Sequence, residues 1–176
     1  MRVFGPSTVL LLLYWFATAA QAQSSSYKVL DTYGDLSTLL NRHEETTLVV
    51  NFWATYCAPC VQEIPFLDSL QQKYAGRRLK VVLVNLDFRH QLKQRLEPFL
   101  EKHHLSSKVV VLADQDADSW IPKVSQDWDG GLPFTLILKE GKKIPHQQEF
   151  NNFDALEQFV LPHLSQEDLL IAKRKR

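Results

Sequence analysis

Apolar positions form three nearly continuous runs, at residues 48–53, 79–86 and 109–112, which alternate with segments of helical spacing. The runs are dominated by Val and Leu, as is typical of strands that a parallel sheet buries on both faces. Between the first two runs, apolar residues three and four apart predict an amphipathic helix: Ile64, Leu67, Leu70 and Tyr74. Strands and helices in this order predict right-handed crossovers and a parallel core sheet.

Residues 91–104 repeat the helical spacing between the second and third runs, but Pro98 should kink or split this segment. Shorter patterns predict the remaining elements on either side of this core. These are a strand at 27–30, a helix at 34–42, a loop at 113–131, a hairpin of 134–139 and 142–150 turning at Glu140-Gly141, and a closing helix capped by Asn151 or Asn152. Together they predict one domain, at residues 23–164, large enough to bury a core.

Residues 1–22 have the composition of a secretory signal peptide. Arg2 precedes an apolar stretch at 9–17, and Ala20-Gln21-Ala22 has the small residues of a cleavage site. The stretch is shorter than the ~20 residues that span a bilayer, so we expect cleavage after Ala22 and no stable membrane span afterwards. An uncleaved anchor is the alternative. Either way the sequence predicts export to the periplasm or cell envelope, where disulfides persist.

The formal net charge of zero conceals an uneven distribution of charge. Arg2 and the four bases at 173–176 lie at the two ends, which leaves 15 bases against 20 acids in between. A mildly acidic body argues against nucleic acid as a partner. We expect the short basic C-terminal tail, at 165–176, to be solvated, and contact with anionic lipid or protein is the alternative.

The chain has two cysteines, Cys57 and Cys60, which follow directly after the first core run. Cys57 should therefore lie at or just before the first turn of the helix, where unpaired N–H groups and the helix dipole favour a thiolate. Residues three apart share a helix face, so Cys60 should lie within bonding reach of Cys57. Pro59 suits a first turn, because a missing N–H costs little there. The pattern predicts a redox-active dithiol.

A structural disulfide and a metal site are the alternatives for two cysteines at this spacing. A structural zinc site usually needs two further Cys or His ligands, and the six histidines provide no suitably spaced pair. Residues 114–118 begin like a calcium-binding loop, but Ser119 and Ser125 stand where Gly and Glu are required. We therefore predict no metal and no dissociable cofactor, and we interpret 114–118 as a solvated acidic loop.

Several motifs in order resemble the thioredoxin superfamily, and within it the TlpA- and ResA-like exported thiol-disulfide oxidoreductases. They are Phe52-Trp53-Ala54, the dithiol, Glu63-Ile64-Pro65 and Gly131-Leu132-Pro133, and the resemblance extends over about residues 48–161. It implies an α/β thioredoxin-like fold in which helices flank a central mixed sheet. The extra crossover before residue 112 resembles the βα insertion of the TlpA/ResA branch.

The resemblance also implies roles for individual residues. Pro133 would be cis and pack against the dithiol, which would leave the backbone of Leu132 to pair with an extended substrate. Trp53 would form a wall of the site and Tyr56 its rim, so both are predicted to contact substrate.

At position 51, thioredoxins commonly carry a buried aspartate that helps to move a proton. Asn51 stands there in this chain and cannot serve as a base. Glu63, one turn after Cys60, is the remaining candidate for proton transfer, and a solvated glutamate that only complements the helix dipole is the alternative.

The predicted function is thiol-disulfide exchange through Cys57 and Cys60. The resemblance implies a reductant of disulfide-containing proteins in the cell envelope, supplied with electrons by a membrane-bound donor. A disulfide oxidant or isomerase, and a non-enzymatic binding or metal-carrying module, remain as alternatives.

Overall fold

The computed structural model describes residues 27–41 and 45–165. Its strands are β1 (Tyr27–Leu30), β2 (Thr47–Trp53), β3 (Leu79–Asn85), β4 (Lys108–Leu112), β5 (Phe134–Lys139) and β6 (Lys142–His146). Its α-helices are α1 (Tyr33–Leu40), α2 (Ala58–Lys73), α3 (Glu97–His103), α4 (Ala117–Val124) and α5 (Phe153–Val160). The predicted signal peptide and the basic run at 173–176 lie outside the described residues. Within them, no helix has the length and apolar character needed to cross a membrane.

The six strands form one sheet in the order β1-β4-β3-β2-β5-β6. The first four strands in that order are parallel, as the alternation of strands and helices predicts. Strands β5 and β6 form an antiparallel hairpin that pairs with β2. The predicted central mixed sheet is therefore confirmed, and β2 lies inside it with neighbours on both sides.

Strand β2 is buried along its whole length because each of its faces packs against helices. Val49 and Trp53 belong to a core cluster that contains residues of α2 and α5. Val50 and Phe52 point to the opposite face, in a cluster that contains residues of α1 and α4. Burial on both faces explains why apolar residues do not alternate with exposed polar ones along this strand.

The prediction of an unstructured loop at 113–131 is wrong, because this segment contains α4. Trp120 of α4 is buried and lies over Phe52, with 6.3 Å between ring centroids. In the acidic segment at the start of α4, Asp116 and Asp118 are exposed, as predicted, whereas Asp114 is half-buried. The Asp114 carboxylate accepts hydrogen bonds from the N–H groups of Tyr33 and Asp116, at 2.9 and 3.1 Å, and so ties the start of α1 to this segment.

Two other segments differ from their predicted bounds. The segment around Pro98 is split, as predicted: a π-helical turn at Leu92–Leu96 precedes α3, and Pro98 lies in the first turn of α3, where its missing N–H is tolerated. Strand β6 ends at His146, four residues earlier than predicted. The chain leaves the sheet there, and the Phe150 N–H reaches a carboxylate of α2 instead.

Candidate active site

The two cysteines lie where strand β2 passes into helix α2. Cys57 is the N-cap of α2 in an extended conformation, and Cys60 lies in the first turn, so the predicted position of Cys57 is confirmed. The two residues form a disulfide, and the Cys60 N–H donates to the Cys57 sulfur at 3.3 Å. Cys57 is half-buried whereas Cys60 is completely buried. An incoming substrate can therefore approach Cys57 but not Cys60.

A buried aspartate holds the loop that presents Cys57. Asp87 accepts a hydrogen bond from the Thr55 N–H at 2.8 Å, and the Asp87 N–H donates to the Asn85 side chain at 3.0 Å. The Leu86 N–H donates to the Trp53 carbonyl at 2.8 Å, which adds a second link between the exits of β2 and β3. Sequence reasoning missed Asp87. The sequence did contain a signal for it: Asp87 comes two residues after the end of β3, and side chains at the carboxyl ends of parallel strands often lie at functional sites.

Glu63 is buried, with 1% of its surface exposed, which rules out the solvated alternative. Burial raises the pKa of its carboxyl from 4.5 to about 7, and the charge of Glu149 adds to this effect. Two donors act in the opposite direction and lower the pKa. These are the Phe150 N–H at 2.9 Å and the Asn51 side-chain amide at 2.7 Å. Glu63 is thus poised to gain or lose a proton near neutral pH.

The two aromatic residues predicted to contact substrate differ in accessibility. Tyr56 is 53% exposed beside the nucleophile, as a rim residue should be. Burial and the nearby charge of Asp87 raise the pKa of the Tyr56 hydroxyl. Trp53 is 0% exposed and packs against Phe99 of α3, with 5.0 Å between ring centroids. Its side chain forms a wall but offers no surface to a substrate, which corrects that part of its predicted role.

The loop before β5 contains the other two predicted binding residues. The Leu132–Pro133 peptide bond is cis, as predicted, and Pro133 is buried while Leu132 is half-buried. The loop is held by its neighbours: the Trp128 indole donates to the Gly131 carbonyl, and the Gly131 N–H donates to Asp129, both at 2.8 Å. Within the described residues, the backbone N–H and C=O of Leu132 make no hydrogen bond.

No group of three or more His, Cys, Asp or Glu residues in the described ranges is arranged to bind a metal ion. The aromatic neighbours of two histidines show how these side chains are used instead. His103 stacks on Phe99, and His146 stacks on Phe150.

Comparison with known proteins agrees with this geometry. The sequence profile described as Redoxin matches residues 18–149, which is most of the chain. The chain belongs to the redoxin family. Among solved structures, this redoxin-family protein is similar to a putative thiol:disulfide interchange protein DsbE from Chlorobium tepidum, with 27% identity and a TM-score of 0.56 over 72% of this chain and 85% of that one. A thioredoxin-related protein from Neisseria meningitidis, 21% identical with a TM-score of 0.59, shares the fold over 70% of this chain and 89% of that one.

Relatives with curated descriptions support the resemblance to the TlpA/ResA-like branch. The thioredoxin-like protein YneN of Bacillus subtilis is 34% identical over 91 residues, which are 52% of this chain and 51% of that protein. Sporulation thiol-disulfide oxidoreductase A of the same organism is 28% identical, over 57% of this chain and 63% of that protein. ResA of Halalkalibacterium halodurans is 26% identical, over 71% of this chain and 65% of that protein. The matched part spans about half to two thirds of these relatives.

Proposed function

We propose that this redoxin-family protein is a thiol-disulfide oxidoreductase that reduces disulfides in other proteins. The observation that carries the proposal is the Cys57–Cys60 disulfide at the start of α2, with one accessible and one buried sulfur. A helix N-terminus stabilises a thiolate on its N-cap residue, and the Cys60 N–H already points at the Cys57 sulfur. The relatives named as thiol-disulfide oxidoreductases support the same activity.

The reaction needs only sulfur chemistry. In the reduced protein, the Cys57 thiolate attacks one sulfur of a substrate disulfide, forms a mixed disulfide and displaces the other substrate sulfur as a thiolate, which takes up a proton. Cys60 then loses its proton and attacks the Cys57 sulfur, which releases the substrate's second thiolate. Two electrons pass from the dithiol to the substrate, and the Cys57–Cys60 disulfide remains. Glu63 is the proposed acceptor for the Cys60 proton, because it is a buried carboxylate one turn further along α2 with a pKa of about 7.

Substrate recognition is assigned to the surface around Cys57. The backbone N–H and C=O of Leu132 make no hydrogen bond to the described part of the chain, so they can pair with an extended polypeptide by strand addition, next to Pro133. Tyr56, which is exposed beside the nucleophile, would contact the same polypeptide.

The cellular setting is part of the proposal. The signal-like residues 1–22 support export to the periplasm or cell envelope, where oxidised proteins would be the substrates. Each turnover leaves the dithiol oxidised, so a donor must reduce it again, and a membrane-bound electron donor fits this location. The competing function is a disulfide oxidant or isomerase, which would use the same two sulfurs with the opposite net electron flow.

The activity can be tested with insulin as the disulfide substrate and dithiothreitol as the reductant. We expect the protein to accelerate insulin reduction well above the rate with dithiothreitol alone. The reason is that Cys57 is accessible at the N-terminus of α2, where its thiolate is favoured. Protein whose dithiol has been reduced and alkylated is the control. A rate no higher than that of the alkylated control would contradict the proposed activity.

The direction of electron flow can be tested by the reduction potential. Ala58 and Pro59 separate the cysteines and bring no charge that would further stabilise the thiolate. We therefore expect a potential closer to the roughly −270 mV of thioredoxin than to the roughly −120 mV of DsbA. Equilibration of the purified protein with glutathione buffers would measure it. A value more positive than about −180 mV, the level of protein disulfide isomerase, would favour an oxidant or isomerase.

A further inference from the structure

A chain of buried hydrogen bonds connects Glu63 to strand β5. The register of β2 and β5 places Asn51 opposite Thr135. The Asn51 side-chain amide donates to the Glu63 carboxylate at 2.7 Å and to the Thr135 hydroxyl oxygen at 3.0 Å. All three side chains are buried. Thr135 has no role in the chemistry described above, yet two hydrogen bonds, both from the Asn51 amide, connect it to the group proposed to take the Cys60 proton.

The orientation of the Asn51 amide decides whether a hydrogen-bond donor or an acceptor faces the Glu63 carboxylate. The amide nitrogen has two hydrogens, and in this structure one is directed to Glu63 and the other to Thr135. The amide oxygen of Asn51 is buried and has no partner among the described protein atoms. A half-turn of the amide would direct this oxygen at the Glu63 carboxylate and place two acceptors against each other. An ionised Glu63 carboxylate can only accept, so it requires the amide nitrogen, and the Thr135 oxygen holds that nitrogen in place by accepting its second hydrogen.

We propose that Thr135 is a positioning residue of the proton site: it holds the Asn51 amide with its N–H toward Glu63, and so sets the pH at which Glu63 exchanges its proton. The importance of this for catalysis rests on the proposed function, in which Glu63 serves the dithiol. The proton equilibrium of Glu63 is nevertheless a property of the folded protein and can be measured without turnover.

The groups around Glu63 make its proton equilibrium sensitive to one hydrogen bond. Glu149, in the segment before α5, is the charged residue whose negative charge acts on Glu63, and it favours the protonated form. The disulfide on α2 does not titrate while it is oxidised. Strands β2 and β5 contribute the neutral Asn51 and Thr135. The two N–H donors, from Asn51 and from the Phe150 backbone, are what favour the ionised form against burial.

The first test is to replace the Thr135 hydroxyl and follow the titration of Glu63 by carbon NMR of the oxidised, glutamate-labelled protein. The Glu63 signal is identified by its loss in Glu63→Gln. We expect Thr135→Val to raise the pH of half-titration by about 0.7 pH unit, which corresponds to the net worth of one neutral hydrogen bond. Thr135→Ser retains a hydroxyl and should leave the titration where it is. Thr47→Val is the matched control, because Thr47 is a buried threonine of β2 that donates to the His163 carbonyl, away from the site.

A double-mutant cycle then separates positioning from a direct effect on the carboxyl. If Thr135 acts through Asn51, Thr135→Val should leave the titration of Glu63 unchanged in an Asn51→Leu background. An equal shift in the wild-type and Asn51→Leu backgrounds would overturn the proposal. The absence of any shift in the protein that retains Asn51 would overturn it as well. If Thr135→Val does not fold, Thr135→Ala takes its place with the same expectations. Failure of insulin reduction with a normal Thr135 effect would instead contradict only the proposed function.

Discussion

Replacing Cys57 with Ser should lower the rate of disulfide reduction by at least about a thousandfold, because the reaction has no other accessible sulfur nucleophile. Cys60 is completely buried and cannot reach a substrate in its place. Cys60→Ser should also stop turnover but at a later step. Cys57 can still attack, and without the resolving thiol the mixed disulfide persists. The measurement is the amount of disulfide-linked complex formed when each reduced variant meets an oxidised protein substrate.

The expected asymmetry is what makes this experiment decisive for the two roles. Cys60→Ser should accumulate complexes through Cys57, and both Cys57→Ser and the double variant should accumulate few. Similar trapping by the two single variants would contradict the assignment of nucleophile and resolving cysteine. A structural disulfide or an inert binding module would trap nothing with either variant.

Glu63 should make the folded protein less stable as the pH rises from about 4.5 to about 7. Its carboxyl has a pKa of about 7 in the folded protein against 4.5 in the absence of burial, so the native state binds the proton more tightly than the unfolded chain does. The contribution of Glu63 to stability is therefore fully present below about pH 4.5 and is lost as the pH rises to about 7. Integrated over that interval, the loss in the free energy of unfolding is about 3 kcal/mol.

Urea denaturation of the oxidised protein at several pH values between 4.5 and 8 would measure this effect. The informative quantity is the difference between wild type and Glu63→Gln, because other titrating groups, including His146, whose pKa burial lowers, contribute equally to both proteins. The free energy of unfolding of wild type minus that of Glu63→Gln should fall by about 3 kcal/mol as the pH rises over this range. Glu101→Gln, at an exposed position of α3, is the control and should show no such trend. A pH-independent difference for Glu63→Gln would show that the carboxyl is not held near neutrality.

Much of the fold could be predicted because its signals are local. The buried strands are nearly continuous apolar runs rich in Val and Leu, and the helix that carries the cysteines shows its apolar spacing from Ile64 to Tyr74. The turn at Glu140-Gly141 is equally local: both residues have positive φ, which a glycine adopts at little cost. Helix α4 was missed because it is only eight residues long and contains Pro122, a residue that usually marks a loop or the end of a helix. Its formation depends on Trp120 packing against Phe52, which lies far away in the sequence.

The dithiol could be predicted from local pattern, because a strand that ends at Trp53 and a helix that begins after Cys57 place the two cysteines at the start of one helix. The environment of that dithiol depends on how distant elements pack. The partners of Glu63 and Asn51 include Phe150 and Thr135, which are 87 and 84 residues distant along the chain, and strand register brings them into contact. Asp87 reaches the loop before Cys57 in the same way. Residue spacing predicts what one helix or strand presents, whereas burial and long-range hydrogen bonds, which shift a pKa, depend on how the elements pack.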